Sequence, residues 1–279
     1  MKIHSKILAL LASMLVAQAA QATTEVLYIT DGDSRTIQAI QGNAIIAQNL
    51  ATPGQYHYAI VVRGTIWTAG YAAGQNRQEF ANATLLPTAN SGAFTAPAGN
   101  PEILDGATDG AFNYTINDGT GDVLRYNLDW SGAPVTVFTA ACGGGICPGI
   151  SYDPVNQSLW VADQTNISQY AMDGTPLGSF AHGDNAGALA FETTTNSLWL
   201  VSNGPNNTLR QFSRAGALLS TVVTAANYSG NVWGAEFQSF AGAAAQVPTL
   251  SEWSLLVLAL LVGLGAWVAL RRASARMAA

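Results

Sequence analysis

Gly149-Ile-Ser-Tyr-Asp-Pro-Val-Asn-Gln-Ser-Leu-Trp-Val-Ala-Asp163 and Ala188-Leu-Ala-Phe-Glu-Thr-Thr-Thr-Asn-Ser-Leu-Trp-Leu-Val-Ser202 are two copies of one pattern at an offset of 39 residues. Tyr152 matches Phe191, and Ser158-Leu159-Trp160 matches Ser197-Leu198-Trp199. Downstream, Gln169-Tyr170 and Asp173-Gly174 are echoed by Gln211-Phe212 and Ala215-Gly216. Each unit reads as four short strands separated by turns: an inner strand, a Trp-bearing strand, a third ending in a polar-Gly turn, and a fourth. Repeats of this length built from short strands are the pattern of propeller blades.

Weaker copies lie upstream. Tyr58-Ala-Ile-Val-Val-Arg-Gly-Thr-Ile-Trp67 has the inner-strand and Trp-strand order. Ala111–Ile116, followed by Val123–Tyr126 and Asp129–Gly132, gives another, whereas 75–109 is poorly periodic. The first unit, Val26–Thr30, Thr36–Ile40 and Ala44–Ala47, begins at a second strand, and Val232-Trp-Gly-Ala-Glu-Phe237 resembles an inner strand with no blade after it. Pairing that C-terminal strand with the N-terminal three would close a ring and hide both edges. The expected fold is therefore an all-β, five-bladed propeller over 23–240; a β-sandwich with jelly-roll connections is the alternative. In its Leu-Trp-Val-Ala-Asp strand and following hairpin, mostly over 145–225, the body resembles NHL and YncE-like propellers. That resemblance implies a binding platform, a lactonase or a lyase, and does not choose among them.

Composition narrows the function further. The 279 residues are 49% hydrophobic and 10% charged. Lys2 and Lys6 are the only lysines, and between Thr23 and Gln246 six arginines face sixteen carboxylates, a formal −10. An acidic body without lysine excludes nucleic acid as partner, Schiff-base catalysis and a phosphate-binding P-loop.

The two ends carry addresses. Residues 1–22 have a charged start, an apolar run from Ile7 to Val16, and Ala20-Gln21-Ala22 where signal peptidase needs small side chains. A ten-residue run is too short for a bilayer of about 30 Å, so a cleaved signal with a mature start at Thr23 is expected. At the other end, Trp253 to Leu270 is uncharged and is followed at once by Arg271 and Arg272. Eighteen residues at about 1.5 Å each span about 27 Å, just enough for an inner membrane, with the arginines retained in the cytoplasm as a membrane stop. Before this segment stands Val247-Pro248-Thr249-Leu250-Ser251-Glu252-Trp253. Motif, apolar helix and arginine cluster in that order resemble the IPTL-CTERM sorting signal of Gram-negative bacteria. Val247 stands where that family usually has Ile, and Ser254 where Gly commonly follows the Trp. The resemblance covers about 30 residues and implies an exosortase-type transpeptidase as partner, which removes the tail and passes the body towards the cell surface. The expected organisation is a signal peptide (1–22), body (23–240), linker (241–246), motif (247–253), transmembrane helix (254–270) and basic cytoplasmic tail (271–279). The protein would be anchored in the inner membrane with its body in the periplasm before processing.

Chemistry-bearing residues are few. Cys142 and Cys147, the only cysteines, flank Gly-Gly-Gly-Ile and are expected to form a disulfide on the loop entering the fourth blade. Their spacing does not fit a redox pair, and without nearby His they are no zinc site. Asp31-Gly32-Asp33, Asn117-Asp118-Gly119 with Asp122, Asp163 with Asn166, and Asn203-Gly204 with Asn206 lack the terminal Glu of a calcium loop and read as hairpin turns. The mature chain offers two histidines, His57 and His182, and no Gly-x-Ser-x-Gly elbow. Asp153, Glu192 and Glu236 lie on inner strands, where a propeller glycosidase would keep paired carboxylates, but Glu236 aligns one residue out of step. Trp67, Trp160 and Trp199 sit at a repeated strand position and read as packing between blades. The six Asn-x-Ser/Thr triplets, at Asn82, Asn113, Asn156, Asn166, Asn206 and Asn227, follow from a Ser, Thr and Asn-rich composition. No catalytic set, metal or cofactor is expected. The leading reading is a non-catalytic binding or structural module, and the alternative is a secreted lactonase or carbohydrate-active enzyme.

Overall fold

The structure is a computed structural model, and it describes residues 23–238 apart from 33–34, 51–54, 101, 144, 204–207 and 225–230. The signal segment with Ala20 and Ala22, the sorting motif, the apolar segment, and Arg271 and Arg272 lie outside the described residues. Among the described residues no helix is present, and none therefore long and apolar enough to cross a membrane.

Among the described residues twenty strands form five four-stranded antiparallel sheets. In blade 1, β1 (Thr23–Asp31), β2 (Thr36–Gly42) and β3 (Ala44–Leu50) come from the N-terminal end. Blade 2 is β4 (Ala59–Arg63), β5 (Thr65–Ala69), β6 (Asn76–Phe80) and β7 (Pro87–Ala93). Blade 3 is β8 (Ile103–Thr108), β9 (Asn113–Asn117), β10 (Asp122–Tyr126) and β11 (Val135–Thr139). Blade 4 is β12 (Gly149–Asp153), β13 (Ser158–Ala162), β14 (Asn166–Ala171) and β15 (Pro176–Ala181). Blade 5 is β16 (Ala186–Glu192), β17 (Ser197–Ser202), β18 (Thr208–Ser213) and β19 (Leu218–Val223). The last strand, β20 (Val232–Phe237), returns as the inner strand of blade 1 and pairs antiparallel with β1, from Leu27 opposite Phe237 to Asp31 opposite Val232. This is the ring closure the sequence predicts.

Hydrophobic side chains collect into five clusters, one at each boundary between adjacent blades. A blade is apolar on both faces, because each face packs against a neighbour, so inner and second strands read as nearly unbroken buried runs. One aromatic residue recurs in every second strand: Tyr28, Trp67, Tyr114, Trp160 and Trp199, opposite Glu236, Val61, Ala107, Ser151 and Ala190 of the inner strands. All five are buried. The expected packing role of the three tryptophans holds, and two tyrosines complete the series.

Blade 3 departs from the repeat. Ala111–Ile116 does not open it; the segment leads into the second strand β9, and the inner strand β8 falls inside the weakly periodic stretch. The register of β8 on β9 shifts between Leu104, opposite Ile116, and Ala107, opposite Tyr114, so two residues, Asp105 and Gly106, face the single Thr115. This is a β-bulge. Asp105 takes a left-handed backbone (φ 43°), which Asp tolerates better than most residues, and its side chain is thrown toward the ring axis.

Candidate ligand-binding face

The axis of the ring is closed by one carboxylate. Inner strands of a propeller turn one backbone edge toward the axis, and those N–H groups need acceptors when water is excluded. Asp105 Oδ1 accepts from the N–H of Gly106 (2.8 Å) and Ala235 (2.9 Å), and Oδ2 accepts from Ile150 and Leu189 (2.9 Å each). These four donors are equivalent inner-strand positions in blades 3, 1, 4 and 5. At the fifth, Ile60 in blade 2, Gly106 packs so closely that a Cβ on it would lie 2.7 Å from the Ile60 carbonyl oxygen. Burial pushes the Asp105 carboxyl well above the usual carboxylate range, and the four N–H groups pull the other way by favouring the anion.

The inner-strand carboxylates read from the sequence do not converge. Asp153 caps its own turn by accepting from the N–H of Val155 and Asn156, accepts from Trp160 Nε1 at 3.3 Å, and is paired with Arg214. Glu192 does the same work in blade 5: Oε2 accepts from Trp199 Nε1 at 2.9 Å and from Thr195 Oγ1. Glu236 lies opposite Tyr28, at the level of Ser151 and Ala190, so it stands two residues, not one, before the positions of Asp153 and Glu192. Glu236 is 5% exposed, and its Oε2 has no hydrogen-bond partner among the described residues. Burial first, then the charges of Asp105 and Glu25, push its carboxyl well above the usual range.

Both histidines are buried and engaged. His57 shares a 2.7 Å bond between Nδ1 and Thr68 Oγ1 and meets the Phe80 ring edge-on; burial pushes it down to about 4. His182 Nδ1 accepts from the Asp184 N–H, so Nε2 carries the proton and donates to the Asp163 carbonyl at 2.9 Å. The Cys142–Cys147 disulfide is formed, with Cα atoms 5.4 Å apart, on the loop between β11 and β12 that enters blade 4. Asp163 Oδ1 accepts from the N–H groups of Thr165 and Asn166, the turn chemistry expected there. Among the described residues no group of three or more His, Cys, Asp or Glu side chains could hold a metal ion.

What the ring does present is an aromatic surface at the end where inner strands begin. Tyr58 precedes β4, Trp233 stands near the start of β20, Tyr71 follows β5, and Tyr56 lies on the approach to β4. Tyr58 and Trp233 stack at 6.0 Å across the boundary of blades 1 and 2, and Tyr71 leans on Tyr58 at 4.6 Å. Tyr56 meets both tyrosines edge-on. Gly32 makes room for the stack, because a Cβ there would lie 2.5 Å from Trp233 Cδ1. Tyr58 is buried, whereas Tyr56, Tyr71 and Trp233 are half-buried. The rings touch one another directly, so they form a platform and not a cage. Polar groups rim it: the Arg35 guanidinium lies 4.4 Å over the Tyr56 ring and donates to its hydroxyl, and burial with a bond to Glu102 pushes the Tyr71 phenol up. Tyr56 and Tyr58 share one segment, and Tyr71 and Trp233 come from two others. Near blade 3 a groove of about 420 Å³ is lined by Thr95, Pro97, Asn117, Asp122, Leu124 and Pro134, among others.

Comparison with known proteins adds the following. No curated protein matches the sequence. Among solved structures, the ring is similar to a chain of the nidogen/laminin complex, with a TM-score of 0.50 and 13% identity over 77% of this chain and 98% of that one. Virginiamycin B lyase from Staphylococcus aureus gives 0.46 and 14% over 74% and 69%, and glutaminyl cyclase from Myxococcus xanthus gives 0.47 and 14% over 61% and 71%. These similarities are similarities of fold. Residues 245–272 match the family model of the IPTL-CTERM motif. The chain is thus a five-bladed propeller followed by an IPTL-CTERM sorting motif, the combination of an exported, sorted protein.

Proposed function

We propose that this protein is a cell-surface binding module, delivered by its C-terminal signal, and that it carries out no catalysis. On this reading signal peptidase cuts after Ala22, the segment 254–270 holds the chain in the inner membrane ahead of Arg271 and Arg272, and the body faces the periplasm. An exosortase-type enzyme then recognises Val247–Trp253 and releases the body to the surface. The motif match over 245–272 carries the delivery half of the proposal. Support for binding comes from the half-buried platform of Tyr56, Tyr71 and Trp233, whose ring faces and polar rim suit a neutral ring-shaped ligand such as a sugar unit. Support against catalysis comes from Asp153 and Glu192, whose oxygens are committed to turns, tryptophans and Arg214.

Expression of the full-length chain in a host with an exosortase-type enzyme and in an isogenic host without it tests the delivery. Mass spectrometry is expected to find Thr23 at the N-terminus in both, and loss of the residues beyond the motif in the first host alone. A C-terminus running through Ala279 in both hosts refutes it. Turnover of lactone or glycoside substrates that is abolished by Glu236→Gln would replace the binding module with an enzyme.

A further inference from the structure

In each sheet one outer strand, β3, β7, β11, β15 or β19, is the last in the order and leaves a row of backbone groups unpaired by the sheet. Soluble proteins blunt such edges with lysine, other charges, or proline, since an open edge templates pairing with another chain. None of these five strands carries a charged residue. Four of them are blunted in other ways. β7 and β15 begin with Pro87 and Pro176 and contain Gly92 and Gly178, β11 is short and follows Pro134, and β3 has its Asn49 side chain tied to the Leu85 carbonyl of the next blade. β19 has none of these devices. Its sequence, Leu218-Leu219-Ser220-Thr221-Val222-Val223, has high strand propensity and neither Pro nor Gly, and Leu218, Leu219 and Val223 are 55%, 46% and 61% exposed.

We propose that the β19 edge pairs antiparallel with the β19 edge of a second copy of this chain, joining two blades 5 into one eight-stranded sheet about a two-fold axis. The charge pattern selects a second copy as the occupant. A body of formal −10 repels its own kind wherever charged faces meet, yet β19 itself carries no charge, and the charged residue beside it in the sheet, Arg210 of β18 opposite Thr221, is paired with Asp184, so two copies meet there without opposing unpaired like charges. A self-complementary strand is also what a two-fold contact requires: the same residues serve on both sides, and Leu219 and Val223 of each copy flank those of the other.

Sedimentation equilibrium on the full-length chain tests this, comparing wild type with Leu219→Lys and Thr221→Lys, both at exposed positions. Wild type is expected to dimerise, and each lysine to weaken the dimer by roughly tenfold or more while the circular dichroism of the folded chain is unchanged. A monomeric wild type overturns the proposal, as does a dimer that survives both substitutions, which would place the contact elsewhere, the C-terminal segment included. Should the variants fold poorly, hydrogen exchange on wild type decides: β19 amides gain protection with concentration while β15 amides do not, and equal behaviour of the two strands counts against the pairing.

Discussion

Replacing Asp105 tests whether one side chain holds the ring at its axis. Its two oxygens accept four backbone N–H groups, three of them from other blades. In Asp105→Asn the shape is kept, but only the amide oxygen accepts; the NH2 group faces two N–H donors and leaves them unsatisfied. A buried donor without a partner costs about 1–3 kcal/mol, so the asparagine variant is expected to lose about 2–6 kcal/mol. For a domain of this size each kcal/mol moves the melting temperature by about 2–4 °C, giving a fall of roughly 5–20 °C. Asp105→Ala orphans all four donors, about 4–12 kcal/mol, on the scale of the entire stability of a domain, and no folded protein is expected. Asp173→Asn, on an exposed turn, serves as the control. Differential scanning calorimetry reads the result. An asparagine variant melting within about 2 °C of wild type would refute the reasoning, since the axial N–H groups would then need no carboxylate.

Four further outcomes follow from the same structure. Because burial raises the proton affinity of Glu236 in the fold, its stabilising contribution is full below pH 4.5 and is lost as pH rises through its elevated value. Glu236→Gln should therefore raise the melting temperature at neutral pH and gain nothing at pH 4. His57 has the opposite sign: its depressed value, about 4 against 6.5, gives stability that is full above pH 6.5 and lost as pH falls toward 4, roughly 3 kcal/mol in all. A urea titration series of wild type and His57→Gln checks it, the variant losing that slope. Reducing or replacing the Cys142–Cys147 pair, which closes a loop with a sequence separation of five, should cost about 2 kcal/mol by denaturant unfolding. Trp233→Ala should abolish any quenching of intrinsic fluorescence by soluble oligosaccharides, whereas Trp160→Phe, at a buried site, should leave it intact.

The ring was legible because blades are copies. Ser-Leu-Trp recurs at a fixed offset since Trp160 and Trp199 fill equivalent gaps, between blades 4 and 5 and between blades 5 and 1, and their Nε1–H groups donate to equivalent carboxylates, Asp153 and Glu192. The lone strand at Val232–Phe237 and the blade lacking an inner strand at the N-terminus pointed to each other for the same reason. Asp105 was not legible. An aspartate between Leu104 and Gly106 reads as a turn, and the bulge that holds it puts Asp and Gly into what would otherwise be the unbroken apolar run of an inner strand. The counterparts of its neighbour Gly106 are Ile60, Ile150, Leu189 and Ala235, so no copy elsewhere in the ring repeats the signal. Glu236 stands two residues from the level of Asp153 and Glu192, not one, and matching Phe237 with Tyr152 and Phe191 gives that offset. The platform joins Tyr56, Tyr58 and Tyr71 of blade 2 to Trp233, and only the closure of the ring brings Trp233 to Tyr58.

That closure sets the order in which an exported chain can finish folding. The bonds from Asp105 reach 45, 84 and 130 residues along the chain, to Ile150, Leu189 and Ala235. Non-local contacts of this kind form after local hairpins, because the intervening loop must be closed before they reward it. Blades 2 to 5 contain only consecutive strands and can each form once emerged, but blade 1 waits for Phe237, and the axial carboxylate waits with it. The match to the sorting motif begins eight residues later, at Ala245. The last strand needed for the ring and the first residue of the signal thus leave the translocation path almost together.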